Sequence, residues 1–263
     1  MRSEKIHRWR QSQLVQVAVM ALVALSTLDA AAQTDSDPDG RLANAILKRA
    51  DEVRFPAEGF EVGVSIRTFN TAEELDARRY RVLSKGNENS IVMVVEPATD
   101  RGQIMLMRGR DLWLFLPNVS QPVRLSLAQR LTGQVANGDI ARANFTGDYN
   151  PKLLGVERID DEDFYVLDLT AVDRGVTYQR VKYWVRRSNY WPHKAEFYSL
   201  SGRLLKTCVY DDFKELGGRV RPTRLVMTDA LRAGERSLLD YSALRMRDLP
   251  DKIFTKDYLK KLE

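Results

Sequence analysis

From Gln33 onward the chain carries one histidine, His193, and one cysteine, Cys208, so the side chains that most often run acid–base or nucleophilic chemistry are nearly absent. A Ser-His-Asp or Cys-His arrangement needs its histidine beside a nucleophile and an orienting acid, and no G-x-S-x-G elbow is present for His193 to serve. Following Trp191-Pro192, His193 reads as a turn residue. A zinc site would have to be built mainly from carboxylates. The acidic run Asp160-Asp161-Glu162-Asp163 lacks the glycine and alternate spacing of a calcium loop and reads as a solvated hairpin tip. Without a G-x-G-x-x-G or a P-loop there is no motif to hold a nucleotide. The expectation is a protein with no catalytic residue, no metal and no cofactor.

What the chain offers instead is apolar surface. The run Leu112 to Pro117, LWLFLP, is apolar at every position within a chain whose other strands alternate. Such a strand must be covered on both faces, or turn one face to a cavity.

The elements that would position that strand follow from periodicity. After Asp39, RLANAILKRADEV places Leu42, Ile46, Ala50 and Val53 at helical spacing, and Pro56 ends the helix. The pattern then changes to period two. Phe60, Val62, Val64 and Ile66 share a face, ARRYRVLSKGNENSIVMVVEP reads as two strands turning near Asn87-Glu88-Asn89, and QIMLMRGRDLWLFLP turns around Gly109. The middle, SLAQRLTGQVANGDIARANFTGDYNPKLLG, is rich in Gly, Asn and Asp and reads as short helices and loops lying over a sheet. Strands resume at Phe164 and recur every ten to fifteen residues or so, and FTKDYLKKL closes the chain as a short helix capped at Thr255. The count is about ten to eleven strands and a few helices. A sheet of that size must curl, so the expected fold is α+β: a strongly curved antiparallel sheet, an incomplete barrel, with helices on its concave face.

Residues 1–32 stand apart. A basic start (Arg2, Lys5, Arg8, Arg10), an apolar run from Leu14 to Leu28 and Ala30-Ala31-Ala32 form the three-part pattern of a cleavable signal peptide. The mature part, 33–263, then forms one domain with 37 basic and 34 acidic residues, net +3. That balance gives no footprint for nucleic acid. Export with a single cysteine means a fold held without an intrachain disulfide, and no lipid-attachment cysteine follows the leader. A soluble, monomeric periplasmic protein of a Gram-negative-type envelope is expected.

Several blocks in order, DLWLFLPNVSQPVRLS, LTGQVANGD, AEFYSLSGRLLKTCVYDDFKELGGRVRPTRLVMTDA and LPDKIFTKDYL, make the chain resemble the LolA-like outer-membrane lipoprotein-sorting proteins. In that family the first block pairs an aspartate with an aromatic strand and a proline, as Asp111, Trp113, Phe115 and Pro117 do, and the last sets Phe254 and Thr255 before the closing helix. The middle block departs from the family's usual Gly-Ser-Asp with aromatics, reading Gly133-Gln134-Val135 and then Asn137-Gly138-Asp139; the motif therefore does not fix the cargo.

The resemblance implies a carrier that shields acyl chains of a lipoprotein or other lipid between an inner-membrane transporter, an ABC permease or RND-type exporter, and an outer-membrane acceptor. It also implies lids, for which the Gly-rich middle is the candidate. One-face choices from the alternating strands put Trp113, Phe115, Val181, Tyr183, Val185 and Leu225 near the cavity lining, although alternation alone allows either face. Asp111, Gly133 and Asp139 read as a strand start, a turn and a helix cap. Two other classes are consistent with the same sheet: a lipid-sensing regulatory domain, which would carry a second domain or an anchor, and a secreted hydrolase, against which the lone His193 speaks.

Overall fold

The structure, a computed structural model, describes residues 38–259; the expected signal peptide of residues 1–32 lies outside them. Helix α1 (Pro38–Arg54) is followed by β1 (Phe60–Asn70), β2 (Glu73–Lys85), β3 (Asn89–Glu96), β4 (Ile104–Arg108), β5 (Asp111–Phe115) and β6 (Val123–Leu125). A small hairpin, β7 (Arg130–Thr132) and β8 (Val135–Ala136), leads into helix α2 (Asn137–Ala141). The second run is β9 (Tyr149–Ile159), β10 (Glu162–Ala171), β11 (Arg180–Arg186), β12 (Pro192–Tyr198), β13 (Leu204–Leu216), β14 (Arg219–Asp229) and β15 (Glu235–Met246), before helix α3 (Lys256–Leu259).

Thirteen strands form one antiparallel sheet in the order β6-β5-β4-β3-β2-β1-β15-β14-β13-β12-β11-β10-β9. Two meanders are thus joined where β1 pairs with β15, with Val64 opposite Tyr241 and Ile66 opposite Leu239. The open, curved α+β sheet is the expected class. It has more strands than the ten or eleven the pattern suggests, because the short edge strand β6 and the long β9 lie in stretches not read as strands. β9 carries Pro151 and Gly155; at the free edge of a sheet a proline's missing N–H leaves no ladder bond unmade, so the strand survives where a central one would not.

Helix α1 begins with Pro38 at a position that needs no N–H donor and has Asp39 in its first turn. Ala43, Ile46, Leu47 and Ala50 are its buried stripe, whereas Leu42 of the expected stripe is exposed. Its last carbonyls are closed by Arg221, a buried side chain of β14 that donates to the oxygens of Glu52 and Val53 and to Leu216. At the other end of the chain Thr255 caps α3, its hydroxyl accepting from Tyr258 N at 3.3 Å.

Each strand gives one face to the main core. Phe60, Val62, Val64 and Ile66 of β1, Val181, Tyr183 and Val185 of β11, and Leu225 and Met227 of β14 meet α1 and α2 in a single cluster on the concave side. The opposite face of β3 and β4, with Ile91, Ile104 and Leu106, is covered by the C-terminal segment through Leu249, Ile253, Phe254 and Leu259. The acidic run forms the β9–β10 turn, with Asp160 and Asp161 at φ 45° and 65°, the left-handed pair a two-residue hairpin favours.

Candidate functional site: a covered hollow on the concave face

The apolar strand β5 is covered on both sides. Leu112 is fully buried in the concave core and Leu114 packs beside it. Trp113 and Phe115, one residue out of phase, point to the outer face and pack with Leu106, Leu249 and Phe254, where Lys256 lies 4.4 Å above the Trp113 ring. Of the six residues expected near the lining, Val181, Tyr183, Val185 and Leu225 therefore share the concave core, while Trp113 and Phe115 are separated from them by the thickness of the sheet. Alternation fixes that two adjacent residues take opposite faces; it does not say which face is which.

On the concave side, packing is incomplete at the β2–β6 end. A hollow of about 210 Å³ lies between Tyr80, Val94, Met105, Leu114 and Leu125 of the sheet and Leu131 of β7, with Arg78, Gln103, Gln129, Arg130 and Asn137 at its polar side. Two gaps of about 20 Å³ lie elsewhere on this face: one between α2 and β1–β2, lined by Phe55, Val64, Val82 and Tyr241, and one lined by Arg54, Phe145, Tyr210 and Leu225. The two gaps share Asp139, Ala143 and Asn144. The signal for the hollow's floor was in RYRVL, VMVVE and IMLMR, which alternate, but only three-dimensional pairing selects the face.

What covers this face is the segment from β7 to the start of β9, which buries Val135, Ile140 and Phe145 in the core and is pinned at both ends by polar contacts. At its tip Gly133 has φ +49°, and a Cβ there would fall 2.3 Å from the Thr68 hydroxyl and 2.4 Å from that of Ser237, so only glycine lets the hairpin touch the sheet. Gln134 N donates to Ser237 Oγ at 3.0 Å. Gly138 is as close to Thr177. Asp139, at the start of α2, accepts from Ala136 N at 2.8 Å, from the Tyr178 hydroxyl at 2.8 Å and from Lys206 Nζ at 3.0 Å. Lys206, only 5% exposed, also donates to the Gln134 carbonyl and lies over the Tyr178 and Phe197 rings at 4.8 and 5.5 Å.

The far end of the cover is pinned likewise. Arg142 pairs with Asp148 and donates to the carbonyls of Asn87 and Gly109. Arg110, from the β4–β5 turn, donates to Asp148 at 3.1 Å and Asp173 at 2.7 Å. Asp51 of α1 accepts from Phe145 N at 2.9 Å, Thr146 N at 2.7 Å and the Thr146 hydroxyl at 2.7 Å.

Burial pushes the Asp51 carboxyl above the ordinary aspartate value, against the pull of Arg54 and these donors. Burial, then the neighbouring Asp139, pushes the Tyr178 phenol well up. Burial also takes the Cys208 thiol up to about 12, which leaves it an inert core group. His193 packs at 4.5 Å on Phe164 on the outer side of the sheet, and its pKa is lowered by partial burial and then by Arg186 and Lys194. Among the described residues no group of His, Cys, Asp and Glu is placed to hold a metal, and no helix is long and apolar enough to cross a membrane.

An open antiparallel sheet wrapped about a helix and a latched covering segment, with unfilled apolar space between, defines a class of open half-barrels. The structure of a LolA superfamily protein from Nitrosomonas europaea shares 66% identity with this chain, with a TM-score of 0.79 over 82% of this chain and 98% of that one. A DUF1329 family protein from Desulfovibrio piger (23% identity, TM-score 0.71, covering 84% and 99%) and an outer membrane lipoprotein-sorting protein domain from Vibrio parahaemolyticus (22%, 0.68, 84% and 99%) have the same fold. A family described only as "Uncharacterized protein" matches residues 86–261, and a search of the curated proteins finds no match. The chain belongs to the LolA superfamily.

Proposed function

We propose that this chain is a periplasmic carrier, exported by the signal peptide of residues 1–32, whose 33–263 domain shields the acyl chain of a lipoprotein or another lipid on its concave face between an inner-membrane transporter and an outer-membrane acceptor. The observation that carries this reading is the 210 Å³ hollow floored by Tyr80, Met105, Leu114 and Leu125. It is larger than the ~150 Å³ apolar cavity that accepts benzene and smaller than the ~300–1,000 Å³ of a site that engulfs a drug-sized ligand. A long acyl chain therefore requires the covering segment to move.

The energetics suit that design. Each methylene removed from water contributes about 0.8 kcal/mol, so a sixteen-carbon chain gains on the order of 10 kcal/mol. Opening the cover trades its hydrogen bonds for water at small net cost, and the apolar surface that Val135, Ile140 and Phe145 would uncover is offset by the acyl chain that replaces it. The lipoprotein-sorting description of the Vibrio relative supports lipoprotein as one cargo; a lipid passed to or from an RND-type exporter fits the same hollow. The reading assigns no catalytic step.

The test is extraction. Mature protein purified from a membrane-containing host is treated with organic solvent, and the extract is analysed by mass spectrometry. Lipid or lipopeptide in near-stoichiometric amount is expected. A lipid-free protein that also fails to take up a fluorescent acyl probe would overturn the reading.

A further inference from the structure

Arg54 is the last residue of α1 and 6% exposed, yet its guanidinium donates no hydrogen bond to any described residue. Its Nη1 lies 3.6 Å from Asp51 Oδ1 and has no hydrogen-bond partner. Its planar face is stacked instead, 4.6 Å from the Phe145 ring centre and 5.3 Å from that of Tyr210. The buried Tyr241 hydroxyl is also unpartnered, and that of Tyr183 lies beside Tyr210 with no acceptor of its own. These three groups belong to one neighbourhood: Tyr210, Tyr183, Asp51 and Tyr241 surround the Arg54 charge.

Such a cluster is costly. A buried charge or hydroxyl without a hydrogen bond loses the solvation it had in water, and structure elsewhere does not require it. The end of α1, where a cation is favoured, is already closed by Arg221. Asp51 spends its oxygens on Phe145 and Thr146 of the cover. What the cluster has in common is surplus donors: a guanidinium edge and two phenols, with no acceptor assigned to them. Arg54 lines one gap with Tyr210 and Leu225, Tyr241 lines the other, and the two gaps share Asp139, Ala143 and Asn144 of α2 and the loop after it.

We propose that Arg54, Tyr183 and Tyr241 form the seat for an oxyanion, the carboxylate or phosphate head of an amphiphile whose acyl chain runs along the concave face toward Met105 and Leu114. This rests on the carrier reading above and narrows its cargo to anionic single-headed lipids. A guanidinium with an edge N–H free to donate matches an anion oxygen, and the Phe145 and Tyr210 rings beside it keep water from it. The present gap of about 20 Å³ has room for one water rather than a head group. Loading therefore displaces the stretch from Asp139 to Phe145, which roofs both gaps.

The experiment is displacement of a fluorescent neutral acyl probe by hexadecanoic acid, hexadecyl phosphate and hexadecanol, on the wild-type mature chain, on Arg54→Met and on the Tyr183→Phe/Tyr241→Phe pair. The pair removes two hydroxyls and keeps both rings, at most one hydrogen bond to Tyr210 being lost, so urea unfolding should show it within about 1 kcal/mol of wild type, which keeps the test valid if Arg54→Met fails to fold. Wild type is expected to bind the acid or the phosphate at least tenfold tighter than the alcohol, about one charge-assisted hydrogen bond, and whichever anion wins identifies the head. The paired variant should lose most of that preference while binding the alcohol as before. Equal affinity for anions and alcohol, or a preference unchanged in the paired variant, overturns the oxyanion seat and leaves the carrier intact. Failure of the probe itself to bind overturns both.

Discussion

Replacing Lys206 by Met isolates the latch that holds α2 to the sheet. Lys206 reaches from β13 to the Gln134 carbonyl and to Asp139 at 3.0 Å, and both side chains of the ion pair are under 10% exposed. Met keeps most of the stem's volume between Tyr178 and Phe197 and removes only the ammonium. Losing one member of a buried pair costs about 3–5 kcal/mol because the other charge is left uncompensated. Asp139 keeps Ala136 N and the Tyr178 hydroxyl, and hydrogen bonds to a charge are worth about 1.5–3 kcal/mol each, so the lower end, about 3 kcal/mol, is expected.

Urea unfolding reads this as a lower midpoint at unchanged slope. Amide exchange should accelerate first at residues 134–139, the local opening preceding global unfolding. Lys206→Met combined with Asp139→Asn should be less destabilised than the sum of the single changes by about 1 kcal/mol or more, since the orphaned charge is gone. A loss below about 0.5 kcal/mol in Lys206→Met, or strict additivity in the double variant, would refute the latch.

Three further outcomes follow from the same contacts. His193 should titrate below the ordinary histidine value of about 6.5 by NMR; because the unfolded chain then binds its proton first, this residue subtracts stability as pH falls from about 6.5 through the lower folded pKa and contributes nothing above it. A His193 pKa at or above 6.5 would contradict the packing against Phe164 beside Arg186 and Lys194. Cys208, fully buried with its thiol at about 12, should resist maleimide labelling in native protein and react on unfolding; labelling at the rate of a free thiol would place it outside the core. Leu114→Trp should fill the hollow and weaken acyl-probe binding severalfold, whereas Trp113→Ala, on the outer face, should cost about 2–4 kcal/mol of stability with little change in probe affinity; the reverse pattern would exchange the roles of the two faces.

Much of the fold is legible in the residues. The helix ending before Pro56, the tight turn at Asn87-Glu88-Asn89 and the cap at Thr255 are local signals, and local structure obeys them. β9 is illegible because an edge strand tolerates Pro151 and Gly155, the marks by which a loop is read. The face of β5 is illegible for a different reason: Trp113 and Leu114 are equally apolar, and only the C-terminal segment, more than 130 residues later, decides which of them it covers. The latches escape sequence reading altogether. Asp51 meets Phe145 and Thr146 across 94 and 95 positions, and Lys206 meets Asp139 across 67. An arginine at the end of a helix looks like a C-terminal charge; that Arg221 takes this role and leaves Arg54 among tyrosines is visible only once the chain has folded.

On the carrier reading, acyl chains lodge between the concave face of β2–β6 and its covering segment. The measurement that addresses it most directly is methyl NMR of the mature chain with a fatty acid carrying a nitroxide midway along its chain. Paramagnetic broadening is expected at the Met105, Leu114 and Leu131 methyls, with the Trp113 indole and the Leu249 methyls on the outer face untouched. Broadening at Trp113 and Leu249 with sharp signals from Met105 and Leu114 would contradict it.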